Sequence, residues 1–304
     1  MLYNPELLAQ GSAVRDFLSP RTVVIGSDYA DTPAADALRS LYSHWVPACD
    51  ISTMSLVSAE LTKLACNMLR AQSVSTINAL NILCHGAGAN IDHVMSATGL
   101  QSGTDYSWLK PGLGFGGRCL EKDTRCLASL AASMQHHPIA SYFSAITDAN
   151  DYIPQQCLQT IDDWFGGSLQ DVEIAILGFA FKRDTGDIRR SVVVRVAQEL
   201  LQRGAIVRAF DPYIAGEIIA ASVGERASSG RLLLFKDAYS TCQRVDLVFL
   251  GTDEEAFDQL DWQRICDSLK RPRRFFEARG NRMRMGYMRQ LGMEVREVGM
   301  LAPS

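Results

Sequence analysis

The residue types that could do chemistry concentrate between Trp108 and Cys126, which reads W-L-K-P-G-L-G-F-G-G-R-C-L-E-K-D-T-R-C. Gly112, Gly114, Gly116 and Gly117 fall within six residues, and Cys119 follows two positions later. Glycine at that density lets backbone approach a ligand closely and reach positive φ without a Cβ penalty. From Arg118 onward Leu120, Leu127, Leu130 and Ala131 recur at spacings of three, four and seven, which predicts a helix. Cys119 then lies at or near a helix N-terminus, where free N–H groups and the macrodipole favour a thiolate. Asp123, four residues on, shares its face one turn away. A nucleophilic thiol with a carboxylate beside it, behind a glycine loop, suits acyl transfer or aldehyde oxidation. A cysteine taken alone is more often a buried packing residue, so the neighbours carry this reading.

The same glycines match G-x-G-x-x-G from Gly112 to Gly117, but a dinucleotide loop must follow a strand and precede an acidic residue about 20 positions later. Lys110 and Pro111 precede this one, and no Asp or Glu occurs from Thr124 to Thr147. It is not a cofactor loop.

The elements that must position these residues can be read along the chain. A length of 304 residues suits two domains of roughly 100–200 residues. Net charge −4 gives no reason to expect a nucleic-acid or membrane partner, and no apolar run reaches the ~18–20 residues of a membrane span. The eight cysteines show no C-x-x-C pairing and follow no secretory signal, so they read as reduced thiols in a cytoplasmic protein. The five histidines have no metal-type spacing, and no metal is expected. Basic residues cluster from Lys270 to Arg289, a solvated face or a phosphate contact.

Thr22–Ile25 predicts a short strand, Pro33–Tyr42 a helix, and Trp45–Pro47 a short edge-like segment. Ser55 to Gly86 runs without glycine or proline until Gly86 and predicts one long helix, apolar on more than one side, hence buried or at a subunit interface. Lys63 and Asn67 share a face of it. Helices follow at Ile91–Thr98, after Cys119, and from Pro138 to Phe165. After Gly166-Gly167, short strands at Val172–Leu177, Ile206–Phe210, Leu232–Phe235, Leu247–Leu250, Arg274–Phe276 and Met293–Val298 alternate with helices such as Val192–Gln202 and Asp261–Leu269. That alternation predicts an α/β chain with a doubly wound parallel sheet, which binds ligands at the carboxyl ends of its strands. Lys182, Arg183 and Arg189 on the loop from Gly178 suit a phosphorylated ligand there, although a solvated loop explains them equally well.

N-P-E-L-L, S-A-E-L-T-K-L-A-C-N, G-F-G-G-R-C-L-E-K-D and L-G-F-A-F-K-R-D-T-G-D occur in one order, with F-E-A-R-G-N near the end. In these motifs the chain resembles the UDP-glucose/GDP-mannose dehydrogenase family over nearly its whole length. The resemblance implies two Rossmann-type domains joined by a long central helix, and oxidation of a nucleotide-sugar C6 alcohol to the uronic acid with NAD and a cysteine thioester. It implies that Cys119 is the nucleophile, that Lys63 and Asn67 stabilise oxyanion charge, that Asp123 works with the lysine and a water, and that Glu6 serves thioester hydrolysis. Leu7, Leu8, Trp108, Lys110, Phe115, Gly116, Lys182 and Arg279 are implied to hold the UDP-sugar, and Arg189 and Lys122 the NAD. A homo-oligomer through the long helix is implied as well.

Against the family pattern, the first Rossmann domain with its glycine fingerprint should precede Asn4. The expected division is therefore 1–54 as a remnant of an NAD-binding domain, 55–168 as a central helical domain, and 169–304 as a Rossmann-like UDP-sugar domain. Ser102-Gly103-Thr104 stands for an R-I-G segment, Gln10 for a glutamate, Glu277-Ala278 for D-G, and Arg190 for a glutamate. Two readings follow. One is a nucleotide-sugar dehydrogenase chain, inactive by itself; the other is a non-catalytic relative that binds nucleotide sugar or docks with other subunits.

Overall fold

The computed structural model describes residues 1–28, 33–47, 50–104, 106, 109–224 and 230–300. Two compact units are present, one of Met1–Arg70 with Lys122–Phe143, the other of Ala71–Glu121 with Ser144–Ser304.

The first unit holds a three-stranded sheet of β1 (Leu2–Tyr3), β2 (Val23–Ser27) and β3 (Ile51–Ser55), with α1 (Ala13–Leu18) and α2 (Pro33–Tyr42) between them. β2 is central, antiparallel to β1 and parallel to β3. Val23, Ile25, Ala35, Val46 and Ile51 form its core. The edge-like segment expected at Trp45–Pro47 is instead a turn: Trp45 and Val46 N–H both return to Tyr42 O, extending the end of α2, and Val46 turns inward. The strand lies further on, at Ile51–Ser55. Gly26 allows the start of α3 (Leu56–Ala87) to close on β2, because a Cβ there would stand 2.6 Å from that of Ala59.

Along α3, Ala71 and Ile77 are buried while Val57, Leu61, Leu69 and Leu83 are exposed, so the expected apolar faces are there and only part of them is covered. The other helices are α4 (Ile91–Ser102), α5 (Cys119–Ser133) and α6 (His137–Trp164). Asn90 caps α4 by accepting from Asp92 and His93 N–H, and Gly103 ends it in the left-handed region.

The second unit carries a six-stranded, all-parallel sheet. Its strands are β4 (Glu173–Leu177), β5 (Ile206–Phe210), β6 (Leu232–Leu234), β7 (Leu247–Leu250), β8 (Arg274–Glu277) and β9 (Glu294–Glu297), in the order β6-β5-β4-β7-β8-β9. The helices between them are α7 (Val192–Gln202), α8 (Gly216–Val223), α9 (Ala238–Cys242), α10 (Glu255–Asp258), α11 (Trp262–Ser268) and α12 (Arg282–Gln290). This is the expected doubly wound fold, and the strand order reverses between β4 and β7. Alternation sends Ile174 and Ile176 into a core with α6, α7 and Phe249, and Ala175 and Leu177 into one with Trp262, Phe257 and Phe275. The central strands β4 and β7 are buried on both faces, which is why they read as near-continuous apolar runs.

Candidate functional site

In the second unit the glycine loop is a fitted piece of backbone. Asn150 of α6, 5% exposed, accepts from Phe115 N–H at 2.7 Å and donates to Phe115 O at 3.1 Å, occupying both backbone groups. Asn78 of α3 accepts from Gly112 N–H at 2.8 Å, and Leu113 N–H donates to Ala278 O at 3.2 Å. Gly114 has φ +96, and a Cβ there would lie 2.4 Å from Asn150 Oδ1; one on Gly116 would lie 2.6 Å from Arg190 O. Glycine is required at Gly114 for close approach and for φ, and at Gly116 for close approach. Leu113 and Phe115 point inward as anchors. The loop ends on Cys119, exposed, the first residue of α5. Trp108 lies outside the described residues.

The same loop meets the carboxyl end of the sheet. A Cβ on Gly112 would be 3.1 Å from Ala278 O, and one on Gly280 would be 2.7 Å from Pro111 O, so the Arg279 turn and the glycine loop lie backbone to backbone. Arg279 Nε donates to Gly251 O at 2.7 Å, and burial lowers its pKa from the usual guanidinium value. Lys110 is exposed, with Nζ 4.0 Å from Asp92. Lys182, in the loop after β4, has Nζ 5.8 Å from the centre of the Phe181 ring.

Asp211, at the end of β5, accepts from Phe179, Ala180, Tyr213 and Ile214 N–H at 2.6–3.3 Å. The acid at this place in the sheet is thereby occupied with holding two loops, not free to receive a ribose hydroxyl.

A cleft of about 500 Å³ opens beside Phe115 and Gly116, with Arg118, Arg189, Arg190 and Arg195 on its walls. Arg189 is exposed and forked onto Asp187, whose hydrogen bond and charge raise its pKa, with a further contribution from Cys119. Arg190 reaches Glu121 at 3.0 Å, and Arg195 reaches Asp151 at 2.8 Å. The cleft is cationic and suits a phosphorylated ligand.

The first unit collects the other expected residues into two groups. Asn67 Nδ2 donates to Asp123 Oδ2 at 2.5 Å, both side chains buried, and Lys122 pairs with the other carboxylate oxygen. Glu6 lies 3.6 Å from Lys63 Nζ; its second carboxylate oxygen accepts from Leu8 N–H, and its carbonyl from Lys63. Leu7 and Leu8 are half-buried on that loop. Asn4 fixes where the loop begins, donating to Val24 O at 2.7 Å and accepting from Tyr42 Oη at 2.8 Å.

Asn4, Asn78, Asn150 and Asp211 were not among the expected site residues. Each has at least one partner distant in sequence, which no local pattern reports; the available hints are an asparagine on an otherwise apolar helix face and, for Asp211, the Asp-Pro turn in which it also accepts from Tyr213 and Ile214 N–H.

Known proteins place this architecture. The central domain of the UDP-glucose/GDP-mannose dehydrogenase family matches residues 57–152, and its UDP-binding domain matches residues 175–281. UDP-glucose 6-dehydrogenase of Pongo abelii is 36% identical over 289 residues, covering 92% of this chain and 58% of that protein. The Drosophila melanogaster enzyme is 34% identical over 98% of this chain and 64% of its own length. A UDP-glucose dehydrogenase structure from Pyrobaculum islandicum superposes with a TM-score of 0.80 at 30% identity, covering 93% of this chain and 61% of that one. The chain thus spans about three fifths of the length of these relatives. With two of the family's domains matched in order and a parallel sheet of the same design, the chain belongs to the UDP-glucose/GDP-mannose dehydrogenase family.

Proposed function

We propose that this chain binds a UDP-sugar, with UDP-glucose the first candidate, and carries the cysteine for oxidation of its C6 alcohol to the uronic acid. One observation supports this above the others: the clamped loop that packs against the Arg279 turn ends on an exposed Cys119 at a helix start. A ligand held by Arg279 and the loop backbone would have its sugar close to the thiol.

In this reading Cys119 Sγ adds to the C6 aldehyde carbonyl, and the thiol proton ends on the carbonyl oxygen, giving a thiohemiacetal. Once that carbon is oxidised, water attacks the thioester, releasing the carboxylic acid and restoring the thiol. Lys63 and Asn67 are the proposed donors to the oxyanion, Asp123 the acceptor of the water's proton with Lys63, and Glu6 the carboxylate for hydrolysis. Lys110, Phe115, Gly116 and Lys182 are the proposed sugar and nucleotide contacts, with Leu7 and Leu8 beside Glu6.

NAD, when bound, supplies the hydride acceptor, one NAD+ for each of the two oxidations at C6. The exposed Arg189 fits its pyrophosphate, and Lys122 is the second proposed contact. Gly26 is not a phosphate cradle, since the space of its Cβ is taken by Ala59. The uncovered Val57, Leu61, Leu69 and Leu83 on α3 support a homo-oligomer through that helix.

Calorimetric titration with UDP-glucose tests the binding step. Saturable binding is expected, weakened about tenfold by Arg279→Ala through loss of a charge-assisted contact to phosphate. No saturable binding by the unmodified chain would refute the reading.

A further inference from the structure

Arg279 rests on a second layer of charge that is buried. Glu277, 0% exposed at the end of β8, accepts from Arg279 N–H through Oε1 at 2.9 Å and from Arg284 Nη1 through Oε2 at 3.2 Å. Arg284, in the first turn of α12 and 6% exposed, reaches Asp253 at 2.7 Å and Asp258 at 2.6 Å with its other terminal nitrogen. Gly251, whose carbonyl holds Arg279 Nε, lies two residues before Asp253. One buried cation therefore joins β8, the segment after β7, α10 and α12 around the turn that presents Arg279.

We infer that Glu277 and Arg284 are positioning residues for Arg279, the pair holding the β8–α12 turn so that the guanidinium meets the diphosphate of a nucleotide sugar. The inference rests on the nucleotide-sugar reading above. A buried carboxylate paired with a buried cation is a poor device for stability, since desolvation consumes most of the attraction. It is a good device for fixing a backbone N–H, because the bond to an ionised acceptor is short and directional.

Burial pushes the Glu277 carboxyl up to about 7, against the opposing pull of Arg284 and of the Arg279 N–H, with Asp253 adding to the rise. The charged groups around it are Arg284 on α12, Asp253 after β7, Asp258 on α10 through Arg284, and Arg279 itself, which also feels Glu254. Its register neighbour on β9, Glu297, is held by Arg282 and His85. Because the folded-state pKa lies above the unfolded value, the folded chain binds the proton more tightly. Glu277's contribution to stability is fully present below the unfolded pKa and is lost as pH rises through about 7. The positioning role runs the opposite way, since it needs the ionised carboxylate. Between about pH 8 and 6 this group should therefore make the fold more stable while ligand binding weakens, a divergence that a purely structural role does not produce.

UDP-glucose is the probe, because its diphosphate is fully ionised across that range. Calorimetric titrations between about pH 6 and 8.5 compare the unmodified chain with Glu277→Gln and Arg284→Lys, circular dichroism confirming the fold of each. The unmodified chain is expected to lose about fivefold to tenfold in affinity on acidification, as one charge-assisted hydrogen bond weakens. Glu277→Gln should start at that weaker affinity and show no such pH dependence. Arg284→Lys, which keeps the charge but not the fork, should shift the midpoint of the profile upward. Should the glutamine variant not fold, the Arg284→Lys midpoint alone decides, and an unshifted midpoint overturns the inference. If Glu277→Gln matches the unmodified chain in affinity and profile, the positioning role is wrong while the nucleotide-sugar reading stands. Absence of UDP-glucose binding at every pH overturns both.

Discussion

The two sheets of this protein are held by different means. In the six-stranded sheet, β4 sends Ile174 and Ile176 to one apolar cluster and Ala175 and Leu177 to another, all fully buried. In the three-stranded sheet, β2 is also buried along its length, but the core beside it is five residues. Polar and aromatic ties supplement it: Asn4 to Val24 and Tyr42, Trp45 Nε1 to Phe17 O at 3.1 Å, and a Phe17–Tyr42–Trp45 cluster with ring centres 5.2–6.4 Å apart. Burial on two faces makes a strand stiff whatever its loops do, whereas a small core leaves register and loop position to individual hydrogen bonds. The chemistry-bearing residues differ accordingly. Arg279 and the glycine loop that leads into Cys119 are braced by buried side chains and backbone of the second unit, while Glu6 sits on a loop tied by Asn4 and by its own pairing with Lys63.

The largest effect should come from the large core. Phe249, fully buried on β7, stacks on Phe276 of β8 with ring centres 5.2 Å apart and 10° between planes. Phe249→Ala should cost about 3–5 kcal/mol, and of the matched truncations Ile176→Ala and Ile25→Ala, each within about 2–5 kcal/mol, the one in the large core should cost more. Denaturant unfolding followed by circular dichroism gives these values. Equal costs of the two isoleucine truncations would mean that the small sheet is packed as tightly as the large one, and the contrast would fail.

An intermediate effect is expected at the Asn150 clamp. Asn150→Ala strands the buried Phe115 N–H and C=O, at about 1–3 kcal/mol for unsatisfied buried groups. The strands should be unaffected. Hydrogen exchange should accelerate from Leu113 to Gly117 and stay unchanged in β4, and iodoacetamide should reach Cys119 at an altered rate. Cys126, also exposed on α5, is the internal control, and Cys157 and Cys242, whose thiols burial pushes up, should stay unlabelled. Unchanged exchange in the loop would show that its glycines, not the asparagine, set its shape.

What could be read in advance follows from the same contrast. Leu247–Leu250 coincides with β7 because a strand buried on both faces is an unbroken apolar run, and Ile206–Phe210 coincides with β5 because its buried and half-buried positions alternate around Arg208 with the period of a strand. β3, reading I-S-T-M-S, has one fully buried position and so no such run, and the two residues of β1 are too few for any pattern. Trp45–Pro47 looked extended for its bulky and β-branched residues, but the hydrogen bonds to Tyr42 O outweigh that preference. In the site, Cys119 at a helix start was legible because helical spacing is local. The clamps at Asn78 and Asn150, the reach of Asp211 to Phe179 and Ala180, and the Glu277–Arg284 pair beneath Arg279 were not, since each depends on backbone or charge brought together only by the fold.

The smallest expected effect is also the most local. Asn4 is solvent-exposed, yet its amide joins the backbone of β2 to the hydroxyl of Tyr42, directly before the loop that carries Glu6. Asn4→Ala removes two neutral hydrogen bonds whose freed partners can turn to water, so about 0.5–1.5 kcal/mol is at stake. Global unfolding should hardly register this, because β2 keeps its pairing to β3 from Val23 to Ser27. The β1 pairing, Leu2 with Ser27 and Tyr3 with Gly26, is only two residues long and should bear the loss. Hydrogen exchange at the β1 amides and at Leu8, whose N–H is held by Glu6, should speed up by about fivefold to tenfold, as 1.4 kcal/mol corresponds to a factor of ten. Exchange in β4 and β7 serves as the reference and should not move. If Leu8 keeps its protection when Asn4 is gone, the pairing of Glu6 with Lys63 suffices to hold the loop, and the small sheet is more self-supporting than its core suggests.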